Sequence, residues 1–517
     1  MNGAQALIAT LSDCGVDVCF ANPGTSEMQL VAALDEQPGM QAILGLFEGV
    51  VTGAADGYGR MADKPAATLL HLGPGLANGL ANLHNARRAC TPIVNIVGDH
   101  ATDHLQYDAP LTSDIVGVAR PMSDWIRTST SPDDLAAAGA EAAAAALSYP
   151  GQVATLIAPA DHAWTDGAQP AHPLRGTDVP RADAQTVEEA AAALRQNGSA
   201  VFLGGRALRA DALQQAGRIA AATGARLICE TFTARLQRGA GRVTVERLPY
   251  FGEMAAEFLE GLSSLVFVGA EPPVSFFAYP GRPSWLSPEG ATLVKLAGAR
   301  QDAVHALRAL ADALDAPDKP ARVQETVLPP IGTGSLDAQS IGAVLAKLMP
   351  DGAIVSDEAA TAGLAIFPMT QGARQHDWLM LTGGSIGQGL PLSVGAAIAC
   401  PDRKVIALQA DGSAMYTVQA LWTMAREDLD VTTVIINNGS YAILNVELAR
   451  VGVTNPGAKA LSLLDLTRPA IDWVSVSEGM GVPAVKADTV EGFQDALGEA
   501  LSARGPRVVE AVIPAGV

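Results

Sequence analysis

Cysteine is scarce in this sequence: Cys14, Cys19, Cys90, Cys229 and Cys400 are scattered along 517 residues. Their spacing fits no metal site, and an odd number of isolated thiols predicts reduced cysteines and a cytoplasmic protein. Cys19, inside the apolar run VDVCFA, reads as core. Positive charge is also short, with 34 Lys and Arg against 54 Asp and Glu, for a formal net charge of −20. That balance argues against nucleic acid or an anionic membrane as partner, and any anionic ligand must be held by local dipoles or a metal. No uninterrupted apolar run approaches roughly 18 residues, so no membrane span is expected. The opening MNGAQALIATLSDCGVD has no basic region followed by an apolar core, so it reads as a helix and not a signal peptide.

What is abundant is small and apolar. Hydrophobic residues make up 49% and charged residues only 17%, a composition suited to close-packed α/β layers with some apolar surface buried between subunits. The length allows two to four domains. Two stretches rich in Pro, Gly and Asp, residues 164–185 and 314–339, read as linkers and leave three segments. The first offers strands at VDVCFAN, AATLLHL and PIVNIVGD, and the middle at AVFLGGRAL, ARLICET, SLVFVGAEPP and TLVKLAG. The third offers AIVSDE, KVIALQADG and VTTVIINNG, with AMYTVQALWTMARED as a helix between the last two. Short apolar strands alternating with helices predict an α/β protein of three doubly wound domains with mostly parallel sheets, over residues 1–165, 180–315 and 338–517.

The stretch ADGSAMYTVQALWTMAREDLDVTTVIINNGSYAIL, residues 410–444, is the most informative. One strand delivers Asp411 to its carboxyl end, a helix crosses over, and the next strand delivers Asn437 and Asn438, at the edge where doubly wound sheets bind ligands. A carboxylate beside an amide oxygen suits Mg²⁺, with the carbonyl of Ser440 as a further ligand. Asp-Gly and Asn-Gly also make ordinary turns. Two of them at one sheet edge, 438 − 411 = 27 positions apart, form a pattern. That pattern resembles the diphosphate and metal motif of the thiamine-diphosphate-dependent enzymes, in which Gly-Asp-Gly is followed by a helix, a strand and Asn-Asn. Ala410 stands where the family has its first glycine.

The resemblance implies thiamine diphosphate and Mg²⁺ as cofactors, with Asp411, Asn438 and Ser440 on the metal and Gly412, Ser413 and Tyr441 beside the cofactor. In LTGGSIGQGLPLSVGAAIA, residues 381–399, it implies a carbonyl near Gly384 for the aminopyrimidine and Ile386 as the apolar prop that bends the cofactor. Glu358 and Thr361 fall where the family contacts the diphosphate. In the first segment the family needs a buried glutamate against the aminopyrimidine N1′. Glu48, flanked by apolar residues in ILGLFEGVVTGAADGYGRM, takes that place. FANPGTSEMQL, residues 20–30, resembles a loop lining the same cavity. Thr25 there matches a serine that meets the substrate carboxylate in benzoylformate decarboxylases, whereas Thr25 and Ser26 read without the resemblance are helix-cap residues.

His71, where the strand AATLLHL gives way to a glycine hinge and a small-residue helix, matches one of two active-site histidines of those decarboxylases. The second is absent, since PPVSFFAYPG, residues 272–281, carries Phe276 and Phe277 in its place. His100 and His104 read as structural strand-end residues within reach of the cavity. His84, with Arg87 and Arg88, reads as serving a helix face or subunit contact, and Glu447 as approaching the substrate.

Across the chain the resemblance implies pyrimidine-binding, central and diphosphate-binding domains in that order. Glu48 and Asp411 then meet only across subunits, in a homodimer or a dimer of dimers. The leading expectation is an acetolactate-synthase-like enzyme that decarboxylates a 2-oxo acid and joins the resulting enamine to a second 2-oxo acid. The alternative is a non-oxidative 2-oxo acid decarboxylase or carboligase of benzoylformate decarboxylase type, and behind it a catalytically inactive regulatory relative. FLGGRALRADALQQAG is too loose for a dinucleotide fingerprint, so FAD is possible but not indicated. VVEAVIPAGV, with nothing after it, gives no reason to expect an active-site cover.

Overall fold

The structure is a computed structural model that describes residues 1–176 and 178–515. Strands β1 (Val18–Asn22), β2 (Gln41–Leu44), β3 (Ala66–Leu70), β4 (Ile93–Asp99), β5 (Trp125–Thr128) and β6 (Val153–Pro159) form a sheet ordered 2-1-3-4-6-5, parallel throughout. The next strands are β7 (Ser199–Leu203), β8 (Arg226–Cys229), β9 (Leu236–Arg238), β10 (Glu246–Arg247), β11 (Ser264–Val268) and β12 (Thr292–Ala297). All but β9 form a parallel sheet ordered 10-8-7-11-12. The last six are β13 (Ala353–Glu358), β14 (His376–Met380), β15 (Val405–Ala410), β16 (Val431–Asn437), β17 (Ala484–Ala487) and β18 (Arg507–Val512).

This third sheet runs 17-18-16-15-13-14-9, because β9 leaves the middle of the chain and pairs antiparallel with β14. Every other pairing in it is parallel. The central strands are largely apolar runs, as expected where helices cover both faces; β3, β6 and β7 are buried along their whole length. The chain is thus an α/β protein of three mostly parallel sheets.

Six helices matter for the site: α1 (Gly3–Asp13), α2 (Glu48–Ala62), α3 (Leu72–Ala89), α4 (Gly363–Met369), α5 (Gly389–Ala399) and α6 (Ala442–Arg450). The opening residues form α1, capped by Asn2. The glycine hinge expected after His71 is instead the first turn of α3, where Pro74 costs nothing because first-turn amides lack intrahelical acceptors. The expected helix between β15 and β16 is two short ones, Asp411–Ala414 and Ala420–Arg426. The break is held by Thr417, whose Oγ1 donates to the Gly387 carbonyl at 2.9 Å.

Helices α2 and α5 bring the first and third sheets together. Their backbones pass so close that a Cβ at Gly395 would stand 1.8 Å from the Ala54 carbonyl oxygen. A buried polar network stitches the same junction. Arg60 binds Asp56 at 2.6 Å and the Met380 carbonyl at 2.8 Å, and Gln388 Nε2 donates to Asp56 at 2.6 Å. Arg235, from the middle of the chain, joins it through Asp377 and through the Arg60 carbonyl at 3.0 Å.

Candidate active site

The carboxyl edge of the third sheet builds one half of the site. β15 ends at Ala410, so the next residue, Asp411, projects at the edge while staying 3% exposed. Its Oδ1 accepts from the Gly412 amide and its Oδ2 from the Gly439 amide, each at 2.8 Å. Asp411 forms no ion pair among the described residues, and burial pushes its carboxyl up against those amide bonds. A buried carboxylate without a cation is costly, which is the condition a bound metal relieves.

Asn437 and Asn438 part company here. Asn437 turns to the sheet, donating to Glu510 at 2.8 Å, whereas Asn438 Oδ1 accepts only from the Ser440 amide at 3.0 Å. Asp411, Asn438 and the Ser440 carbonyl therefore fit a hard-oxygen cation that completes its shell from phosphates and water. No cluster of three His, Cys, Asp or Glu occurs among the described residues, and this mixed donor set needs none. The Tyr441 ring fills the space beside Gly412, where a Cβ would stand 2.3 Å from it, and Ser413 is buried next to them.

The glycine-rich turn before α5 faces this edge. Gly384 adopts φ 74°, and Phe276 lies against it. Glu358 braces the turn instead of standing free for a diphosphate. Its two oxygens accept from the Gly387 and Gly389 amides, each at 2.6 Å, and from Gln409 Nε2 at 2.8 Å. From the other side, α3 supports the turn through His84, 3.0 Å from the Gly383 carbonyl, and through Asn85, donating to the Ser385 carbonyl at 2.8 Å. His84 thus holds the turn's backbone, while Arg87 pairs at long range with Asp124. Ile386 and Thr361 are half-buried at the same turn.

The first sheet builds the other half. Glu48 opens α2, 8% exposed, with Oε2 accepting from Asn78 Nδ2 at 3.0 Å. His71 follows β3, and a methyl group at Gly75 would lie 3.2 Å from Glu48 Oε1 and 3.4 Å from His71 Cβ. The two side chains therefore border one volume. His71 Nδ1 sits 2.8 Å from Oε2 of Glu27, a fully buried carboxylate that also accepts from the Gly24 amide at 2.7 Å. Glu27 Oε1 is buried with no hydrogen-bond partner among the described residues. Burial pushes the Glu27 carboxyl up, opposed by the Gly24 amide and by His71.

Two glycines make room for this pair. A Cβ at Gly24 would stand 2.3 Å from the imidazole, and one at Gly98 1.7 Å from Glu27 Oε1. Sequence reading passed Glu27 over, because in NPGTSE it resembles an ordinary first-turn glutamate. Its neighbours in that turn behave differently: Thr25 is exposed, Ser26 half-buried, and both sit in a short 3₁₀ turn. The His100 and His104 rings lie tilted at 54°, 5.3 Å between centres, and His100 Nε2 is buried with no hydrogen-bond partner among the described residues.

The residues 272–281 cover the cofactor turn of their own chain. Phe276 rests on Gly384, and the Tyr279 hydroxyl donates to Glu447 Oε2 on α6 at 2.7 Å. No hydrogen bond links Glu48 or His71 to Asp411, Asn438 or Ser440.

A buried glutamate near an imidazole on one sheet edge, and an uncompensated aspartate with a glycine cradle on another, define a thiamine pyrophosphate enzyme. The comparisons agree. Residues 1–118 match the family described as thiamine pyrophosphate enzyme, N-terminal TPP binding domain, and residues 361–511 match its C-terminal TPP binding domain. The chain belongs to this family, and it is related to both acetolactate synthases and benzoylformate decarboxylases. A Mycobacterium tuberculosis protein named "Putative acetolactate synthase large subunit IlvX" is 55% identical over 99% of both chains. Benzoylformate decarboxylase of Pseudomonas aeruginosa is 28% identical over 96% of each. Among solved structures, the thiamine diphosphate-dependent 4-hydroxybenzoylformate decarboxylase of Rhodococcus jostii RHA1 superposes with a TM-score of 0.86 at 24% identity, over 99% of both chains, and shows the fold. No described helix is long and apolar enough to cross a membrane.

Proposed function

We propose that this protein is a thiamine-diphosphate- and Mg²⁺-dependent decarboxylase of a 2-oxo acid that releases an aldehyde. The observation that carries this reading is the Glu27–His71 pair beside Glu48. When bound, the cofactor would supply a carbon nucleophile for the 2-oxo carbonyl and a cationic ring as sink for the electron pair left by CO₂. Asp411, Asn438 and the Ser440 carbonyl would hold the metal, and the cradle around Gly384 and Ile386, with Gly412, Ser413 and Tyr441, would receive the cofactor.

Glu48 holds the proton at the aminopyrimidine N1′. His71, its ring oriented by Glu27 through Nδ1, would deliver a proton to the former 2-oxo carbon, and the balance is 2-oxo acid carboxylate plus one proton to aldehyde plus CO₂. Thr25, exposed in the turn that carries Glu27, would meet the substrate carboxylate. Phe276 and Phe277 favour a bulky or aromatic substrate side chain. Glu48 and Asp411 act together across a homodimer or a dimer of dimers, so each complete site takes one half from each subunit.

Carboligation of acetolactate-synthase type is the second reading, favoured by the 55% identical relative's name. The sequence alone, His71 included, ranks it first, and the Glu27–His71 contact reverses the order, because a positioned proton donor at the reacting carbon competes with addition to a second 2-oxo acid. The test is incubation with thiamine diphosphate, Mg²⁺ and either benzoylformate or pyruvate, following CO₂ and products. Benzaldehyde from benzoylformate supports decarboxylation. Acetolactate from pyruvate with no aldehyde from either acid refutes it.

A further inference from the structure

A cavity of about 400 Å³ opens between β9 with the chain that follows it and helix α4. Three arginines line it, Arg238, Arg242 and Arg247, against one acidic side chain, Glu246. That glutamate is already engaged by Arg226 at 2.7 Å and by Arg322 at 3.6 Å. In a chain with a net charge of −20, such a concentration of cations calls for a reason.

The guanidinium groups of Arg238 and Arg247 both lie over the Phe367 ring, 3.8 and 4.2 Å from its centre. Arg238 is 7% exposed; its Nη2 donates to the Phe367 carbonyl at 2.9 Å, while Nη1 is buried with no acceptor. Arg247 Nη1 reaches only the Met380 sulfur, at 3.8 Å. Neither forms an ion pair among the described residues. Burial and mutual repulsion disfavour both charges, with Asp357 offsetting part of the cost from behind. An anion in the cavity would remove that penalty.

Most of the remaining wall is apolar, with Leu236, Val245, Phe251 and Leu364 beside Tyr250, and Thr244, Gln324 and Gln371 add neutral polar groups. Gly384, Asp411 and Asn438 do not line it, so it is separate from the cofactor cradle. We infer that this cavity binds a small carboxylate with an apolar body, its head on the arginine forks and its body against the aliphatic and aromatic wall. A planar guanidinium matches a carboxylate in two parallel hydrogen bonds, and a free phosphate would leave the apolar wall unused.

The test is calorimetric titration of the protein, loaded with thiamine diphosphate and Mg²⁺, with phenylacetate, which lacks a 2-oxo group and cannot be decarboxylated. Saturable binding is expected, with none for phenethylamine and at least about tenfold weaker binding for inorganic phosphate. Arg247→Met should weaken phenylacetate binding at least about tenfold with the circular dichroism unchanged, while His71→Ala leaves it intact. Arg242→Gln, nearer the surface, gives the same test if the first variant misfolds. Absence of binding at millimolar phenylacetate overturns the assignment, as do unchanged binding in the arginine variants, equal affinity for phosphate, and loss only in His71→Ala.

Discussion

Glu27 and His71 act as one unit, and their contact fixes the expected phenotypes. Glu27→Gln keeps the shape but replaces the carboxylate oxygen that holds His71 Nδ1, so the ring is oriented less firmly. kcat should fall at least about tenfold while KM changes little. A kcat that keeps its value would leave Glu27 a merely structural residue. Glu230 offers a separate test, of stability. Burial pushes its carboxyl up from 4.5 to about 7. A carboxyl raised on folding favours the folded state while protonated, so this contribution is complete below about pH 4.5 and lost as pH rises through about 7. Glu230→Gln should flatten that decline, and denaturant titrations at several pH values would measure it. Glu48, Asp411 and Asn438 were legible in the sequence because each sits in a recognisable local pattern. Glu27 was not, because its partner lies 44 positions away and only the pairing of β1 with β3 brings them together.

Among the elements, β1, β3, β4 and β7 were read from their apolar runs, while β6, buried along its whole length, was passed over. β14 escaped because it starts with His376 and Asp377, polar residues tolerated there by burial against Arg374, Arg235 and Arg403. β9 is three residues long and carries too little pattern to be seen. The helix expected between β15 and β16 failed for a tertiary reason, the bond from Thr417 to the cofactor turn. The crossing of α2 and α5 makes its own prediction. Gly395→Ala forces a methyl group into the Ala54 carbonyl and should destabilise the protein by about 1–3 kcal/mol. A thermal midpoint lowered by several degrees is the expected result, and an unchanged midpoint would mean the helices part freely.

For the whole molecule, the proposed sharing of each site between two subunits would make activity a property of the pair. Glu48→Gln and Asp411→Ala should each be inactive alone and leave the fold intact. Mixed after dissociation and reassociated in equal amounts, half the dimers pair one variant with the other and carry one complete site of two, so about a quarter of the wild-type activity should return. Recovery of none would place Glu48 and Asp411 in the same site of a single chain. The three segments were visible from their linkers, but the way they interlock was not. β9 shows what that hides: the third sheet takes its last strand from the middle of the sequence. Heredity therefore cannot exchange the central segment as a cassette, because a recombination point in either linker would transplant the neighbouring sheet's edge along with it.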